Sequence, residues 1–397
     1  MEFGFTEKEN SLRKELREFV ARELPPDWMG EGGVNEEYGT DKGWEAARKM
    51  AKKLAAKKWL TIAWPREYGG LGATHMEHVI YREEMAYHMV PGTDMGVGGV
   101  NWIGPALMIF GSEEQKKRHL PKIASGDTFW CTAYSEPEVG SDMASMKCRA
   151  VRKGNEYVIN GQKVWISAGH RADWCWLAVR TDPDAPKHRG ITLVLINMKT
   201  PGVTVKPLLN MADSYANCEV FFDDAHVPVE NRIGEENQGW RYIMTALDFE
   251  RTAGIDLTAR AHRMAVELVK FCNQAKRDGK PLSEDPIIRN RLADLLIECE
   301  VGRLMCYRIA WMEDRNQVPN YEASTAKTLG AELGQKISNF GLDIMGLYGQ
   351  LEHGHEAPIK GLLHEAYLYT RGDTIAGGTS EINRNVIAMR GLGLPRG

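Results

Sequence analysis

The hydrophobic periodicity of this chain changes twice, and that change limits its architecture more than any other feature. From about Thr6 to Ala124 apolar residues recur at helical spacing, most clearly over Glu7–Leu24 and Asp41–Lys58. The segment Ala63-Trp64-Pro65-Arg66-Glu67-Tyr68-Gly69-Gly70 interrupts this with a turn. Glu113 to Arg118 then opens a further polar helical stretch. Near Asp127 the pattern shortens to strand alternation. Tyr157 to Ile166 is expected as two strands reversing at Asn160-Gly161. Gly190 to Ile196 is a β-branched run, and Cys218 to Phe222 alternates like a half-buried strand. From Gln238 helical spacing returns over Gln238–Ala275, Ile287–Glu313 and Ala323–Met345. A single hydrophobic core does not grow to 397 residues. The expected layout is therefore α+β in three parts: helical over 1–127, β over 128–236 and helical over 237–397.

Composition narrows the function by exclusion. A net charge of −4 leaves no footprint for nucleic acid or an anionic membrane. An anionic ligand would have to meet local cations. The apolar runs are too short and too interrupted by charge to span a bilayer. The N-terminal Met1-Glu2-Phe3-Gly4 lacks a signal-type apolar region, so a cytoplasmic enzyme is expected. Seven dispersed cysteines with no C-x-x-C pair fit reduced thiols better than a disulfide framework. Neither a Walker phosphate loop nor H-E-x-x-H occurs. The glycine runs at Gly69–Gly72 and Gly96–Gly99 do not join a strand to a helix, which argues against a Rossmann phosphate loop. His353-Gly354-His355-Glu356 reads as an exposed turn before it reads as a metal site.

Four constellations carry chemistry. Tyr134-Ser135-Glu136-Pro137-Glu138-Val139-Gly140-Ser141-Asp142 is a loop rich in backbone N–H groups, suited to an anion or a polar ring edge, or equally a plain corner. Trp165-Ile166-Ser167 ends a strand, where a tryptophan is ordinarily core. Asp248-Phe249-Glu250-Arg251 lies in a helical stretch, where such charges are ordinarily solvated. Ile375-Ala376-Gly377-Gly378-Thr379-Ser380-Glu381-Ile382 sets two flexible glycines before a hydroxyl and a carboxylate.

Together these segments resemble the acyl-CoA dehydrogenase family, over nearly the whole chain. The resemblance implies an N-terminal helical domain, a middle β-barrel-like domain and a C-terminal four-helix bundle. It also implies noncovalent FAD, an acyl-CoA substrate, an electron-transfer flavoprotein as acceptor, and a homotetramer or at least a dimer. It sets Tyr134 and Ser135 against the flavin pyrimidine edge and Gly140 near pyrophosphate. Trp165 would pack on the isoalloxazine, and the Ser167 hydroxyl would lie near flavin N5. Thr379 and Glu381 would meet the adenosine pyrophosphate of FAD, while Ser141, Asp248 and Arg251 would meet the CoA ligand.

Many members of the family carry their catalytic glutamate at the position of Gly377. Isovaleryl-CoA and long-chain members carry glycine there and a base at the position of Glu250. This chain shows that paired pattern, so Glu250 is the expected base, with the Gly377 N–H holding the thioester oxygen. The element that contacts the FAD of a neighbouring subunit departs from the pattern. Gln274 and Asp278 replace its arginine and phenylalanine, Asp343 replaces a glutamine ahead of Gly346, and Arg277 stands as a substitute. Gly377 frees volume beside the reacting carbons, so a branched or cyclic acyl group is expected. Asp94 falls where the family lines its acyl pocket. It reads either as a helix N-cap or as a pocket carboxylate. In the second case it binds a polar acyl tail, or acts as a base converting a cyclic enoyl-CoA to a dienoyl-CoA. An acyl-CoA oxidase and a non-catalytic CoA-binding subunit of a heteromer are the competing readings.

Overall fold

The computed structural model of the chain describes residues 4–29, 38–93, 97–249, 251–252 and 254–395, without the side chains of Val97 and Asp248. Asp94 and Glu250 therefore lie outside the described residues. Three helices open the chain: α1 (Glu7–Glu23), α2 (Asp41–Ala56) and α3 (His75–Tyr87). The short α4 (Gly104–Phe110) and α5 (Glu113–Ala124) follow. Seven strands come next: β1 (Trp130–Ala133), β2 (Arg149–Lys153), β3 (Glu156–Ser167), β4 (Trp174–Arg180), β5 (Ile191–Asn197), β6 (Val203–Leu208) and β7 (Asn217–Pro228). Then come α6 (Gly239–Asp248), α7 (Gly254–Gln274), the two-residue strands β8 (Lys276–Arg277) and β9 (Lys280–Pro281), α8 (Pro286–Glu313), α9 (Tyr321–Met345), α10 (Leu362–Asp373) and α11 (Ser380–Val386). Capping boxes at Thr6, Thr74 and Ser112 start α1, α3 and α5, each with a Glu or Gln three residues on.

The chain parts into two compact units. One gathers Met1–Glu31, Ala73–Val90 and Arg251–Gly397, and the other holds Gly32–Gly72 and Pro91–Glu250. The second unit is built on a curled seven-stranded sheet, ordered β1-β4-β2-β3-β7-β6 with β5 on the other edge of β4. Alternate residues of its strands, among them Cys131, Ala133, Ile159, Leu177, Val194, Val220 and Phe222, fill its core.

The expected reversal at Asn160-Gly161 does not occur. β3 runs unbroken from Glu156 to Ser167, and the hairpin is made earlier, by the two-residue turn Gly154-Asn155. Asn160 instead exchanges two hydrogen bonds of 2.9 Å with Asp224 across the sheet. Gly161, at φ 147, sits at a bulge where a Cβ would come within 2.8 Å of Cys148 Cα. The Asn-Gly pair thus serves a bulge and a close backbone approach, which look the same as a turn in sequence.

In the first unit α7, α8, α9 and α10 pack round Leu268, Leu295, Leu333, Ile337 and Leu363. The expected helix Gln238–Ala275 is divided, with α6 ending at Asp248 and α7 starting at Gly254. Gly254 permits the close approach of α9, since a Cβ there would lie 3.1 Å from Ala326. Arg13 of α1 reaches Glu83 of α3 at 2.6 Å and the Tyr307 hydroxyl of α8 at 2.8 Å, and Arg303 meets Glu83 from α8 at 2.7 Å. On the outer side of α8, Ile297, Val301, Leu304 and Trp311 are exposed at spacings of one helical face.

Candidate active site

The sheet unit carries one cluster of the expected residues, held by a buried ion pair. The Lys163 side chain is fully buried in β3, and its ammonium donates to Glu136 Oε1 and to the Tyr134 carbonyl, both at 2.9 Å. The Glu136 carboxylate also accepts the backbone N–H groups of Lys147 at 2.7 Å and Cys148 at 2.8 Å. Its charge is thus met on both oxygens, as burial requires. These bonds fix the Tyr134–Asp142 loop. The Val164 N–H reaches the Ser135 carbonyl at 3.0 Å, which brings Ser135 beside Trp165.

Trp165 is not a core tryptophan. It is 65% exposed and its backbone adopts φ 61, a costly conformation for a bulky residue. Val164 and Ile166 on either side are buried, and Ser167 is exposed like Trp165. Gly140 and Ser141 are exposed, and a Cβ on Gly140 would meet nothing within 4 Å. Internal packing therefore does not demand glycine there. An exposed indole, a nearby hydroxyl and an open glycine on a rigid loop fit a planar ring system with a polar tail.

The helical unit carries the second cluster, on the loop between α10 and α11. Gly377 and Gly378 both adopt left-handed backbone, at φ 65 and φ 85. Lys327 of α9 donates to the Asp373 carbonyl at 2.9 Å and to the Gly378 carbonyl at 2.8 Å. Asn383 donates to the Gly378 carbonyl at 2.9 Å and the Thr379 carbonyl at 3.1 Å. The Thr379 hydroxyl caps α11 through the Ile382 N–H. Among the described residues the Gly377 N–H has no acceptor, and the nearest atom to a Cβ built there is Lys327 Cε at 3.9 Å. Burial lowers the Lys327 pKa, while Asp373, Glu332 and Glu381 act to raise it. The backbone N–H of Glu381 and the Thr379 hydroxyl hold the Glu381 carboxyl below its usual range.

Other expected residues stand apart from this loop. Arg251 is half-buried and its guanidinium donates to the Pro319 carbonyl. Arg277 is exposed beside the Asp278-Gly279 turn, with φ 51 and 78, which joins β8 to β9. Asp343 is exposed near the end of α9, and Gly346 follows it at φ 58. No hydrogen bond or ion pair among the described residues joins Arg277 to Asp343 or Thr379. His353 and His355 are exposed, and no group of three or more metal-ligating side chains occurs among the described residues. All seven cysteines are buried, and none forms a disulfide. The sequence assigns no role to Lys163, Glu136, Lys327 or Asn383. A lysine at an inward position of β3 is a signal that could have exposed Lys163. Lys327 has no such signal, because a lysine in a helix reads as a solvated face.

The family models for the N-terminal, middle and C-terminal domains of acyl-CoA dehydrogenases match residues 6–127, 131–225 and 237–392. This chain belongs to the acyl-CoA dehydrogenase family. The dehydrogenase is 32% identical to acyl-CoA dehydrogenase FadE26 of Mycobacterium tuberculosis, over 100% of this chain and 99% of that one. It is similar to the solved Tcur3481-Tcur3483 steroid ACAD, with 31% identity, full coverage of both chains and a TM-score of 0.90. It is also similar to the ChsE4-ChsE5 complex from Mycobacterium tuberculosis, with 32% identity, full coverage of both chains and a TM-score of 0.88. Membership makes the chain an oxidoreductase of acyl-CoA chemistry, with the helical, β and helical domains of that family. Among the described residues no helix is long and apolar enough to cross a membrane.

Proposed function

We propose that the dehydrogenase binds FAD and oxidises a bulky acyl-CoA, branched or alicyclic, at the bond between the α and β carbons. The observation that carries this reading is Gly377, a left-handed glycine with an unclaimed N–H and open space where a side chain would stand. FAD, when bound, supplies the hydride acceptor. Tyr134, Ser135, Trp165 and Ser167 would hold its ring, Gly140 would admit its phosphates, and Thr379 and Glu381 would meet its distal end. The exposure of Trp165 and the open surface at Gly140 support that assignment.

The chain's own work is on the proton and on the thioester oxygen. An acyl α-hydrogen is too weakly acidic for a free carboxylate. A fixed N–H at the carbonyl oxygen stabilises the negative charge that develops there, and Gly377 offers one. Glu250 would take the proton, since a carboxylate serves as such a base where desolvation favours its neutral form. Asp248, Arg251 and Ser141 bind the CoA portion. Asp94 is proposed for the acyl pocket, with a helix N-cap as its other reading. Arg277, Asp343 and Gly346 face the FAD of an adjoining subunit.

The steroid ACAD and ChsE4-ChsE5 relatives favour a substrate of steroid-like bulk and a partner subunit over a homotetramer. The exposed apolar face of α8 supports assembly. An electron-transfer flavoprotein is the expected acceptor, in a cytoplasmic setting. The test is to purify the chain alone and with candidate partner subunits, load it with FAD, and screen acyl-CoA thioesters for bleaching of the flavin absorbance. Bleaching by polycyclic or branched thioesters, with little by butyryl- or octanoyl-CoA, is expected. A protein that takes up no FAD in any combination would refute the reading.

A further inference from the structure

We propose that Lys327 is a positioning residue for the reaction: by tying the two ends of the Gly377 turn to α9, it presets the Gly377 N–H for the thioester oxygen. The inference rests on the reading that this N–H receives that oxygen. The Lys327 ammonium donates to two carbonyls five positions apart, Asp373 at the end of α10 and Gly378 after the turn. The Gly377 amide lies between those anchor points. Gln335 of α9 also donates to the Thr370 carbonyl at 3.0 Å and the Thr374 hydroxyl at 3.1 Å, and the backbone contacts are local: Ile375 and Ala376 N–H groups to the Gly372 carbonyl, and the Ser380 N–H to the Thr374 carbonyl. None of them restrains Gly377 or Gly378 directly.

Two adjacent glycines cost more conformational entropy to hold than any other pair. Untied, they would sample both signs of φ, and the amide would spend little of its time pointed one way. A preset donor needs no reorganisation when charge develops, which is what makes it effective. Lys327 supplies the restraint from a helix, which is stiffer than a loop. Asn383 adds a second donor to the Gly378 carbonyl from α11. The Lys327 Cε methylene lies 3.9 Å from the Cβ position of Gly377, so the lysine stem runs alongside the turn it ties.

The test uses the FAD-loaded protein, with its partner subunit where one is needed, and the enoyl-CoA product of the best substrate from the screen. Infrared difference spectra with a ¹³C label in the thioester carbonyl read how strongly the bound oxygen is polarised. In the wild type a shift of the carbonyl band to lower frequency is expected. In Lys327→Met at least half of that shift should vanish, kcat should fall on the order of tenfold to a hundredfold, and KM should change by less than about threefold. Lys327→Arg should restore most of both.

The outcomes separate cleanly. No shift in the wild type overturns the oxyanion reading itself. A full shift in a folded Lys327→Met overturns the role of Lys327, even if thermal stability falls. If Lys327→Met does not fold, Asn383→Ala gives the decision. A smaller loss of shift supports presetting through the Gly378 carbonyl, and an unchanged shift refutes it.

Discussion

Replacing Lys163 by methionine tests whether the sheet unit owes its loop geometry to one buried charge pair. Methionine keeps most of the side-chain length and removes the ammonium. Glu136, only 7% exposed in its side chain, then keeps two backbone N–H donors but no countercharge. Breaking a buried pair by deleting one partner costs about 3–5 kcal/mol. The two remaining charge-assisted bonds hold the cost near the lower end, at about 3 kcal/mol. The Tyr134 carbonyl also loses its lysine donor, at about 1 kcal/mol. The expected loss is therefore about 4 kcal/mol. Urea unfolding followed by tryptophan fluorescence measures it, since Trp130, Trp174 and Trp176 lie in this unit. Flavin titration of the same variant should show weakened binding, because Tyr134 and Ser135 lose their anchor. Adding Glu136→Gln should recover part of the stability by removing the stranded charge. A loss below about 1 kcal/mol in Lys163→Met would show that the pair contributes only specificity.

Glu250→Gln should keep FAD and substrate binding while turnover drops on the order of a thousandfold, the usual scale for a lost general base; full activity would reject Glu250. Gly377→Glu in that background should return some activity toward small thioesters and block bulky ones, as steady-state assays with both classes would reveal, because the nearest atom to a Cβ there is 3.9 Å away. His119 is buried between Trp130 and Trp174, and burial pushes its pKa down to about 4, with Arg118 and Lys122 adding to the shift. The unfolded chain binds that proton below about 6.5, so its contribution is complete above pH 6.5. It declines as pH falls toward 4, by no more than about 3 kcal/mol. His119→Phe should make the stability profile shallower by about one proton across that window.

The three-part order of helices, strands and helices was legible because long periodic runs of apolar residues signal their own geometry. α8 and α9 start within two residues of their expected positions for that reason. The Asn160-Gly161 error has a different origin. A glycine demanded by a neighbouring strand cannot be told from one demanded by a turn until the neighbour is known. The loop glycines and Trp165 stood out through the family resemblance, yet periodicity alone would have buried Trp165. Lys163 and Lys327 were missed because each acts through tertiary contacts, 27 positions away at Glu136 and 46 and 51 positions away at Asp373 and Gly378. No local pattern encodes such distances.

The first unit is assembled from separated stretches of chain, and synthesis must respect that. Arg13 meets Tyr307 across 294 positions of sequence. At about 5–20 residues per second, roughly 15–60 s pass between the emergence of these two side chains. Through that interval α1, with Leu16, Phe19 and Val20, has α3 to pack on, while α3 still lacks α7 and α8. The strands of the other unit, contained in one later stretch, are complete long before α8 arrives. A nascent chain halted after the sheet would hold the strands and a pair of helices, α1 on α3, whose remaining face lacks α7 and α8. That uncovered face is where a holdase chaperone would bind during synthesis, and it is where slow translation would do the most harm.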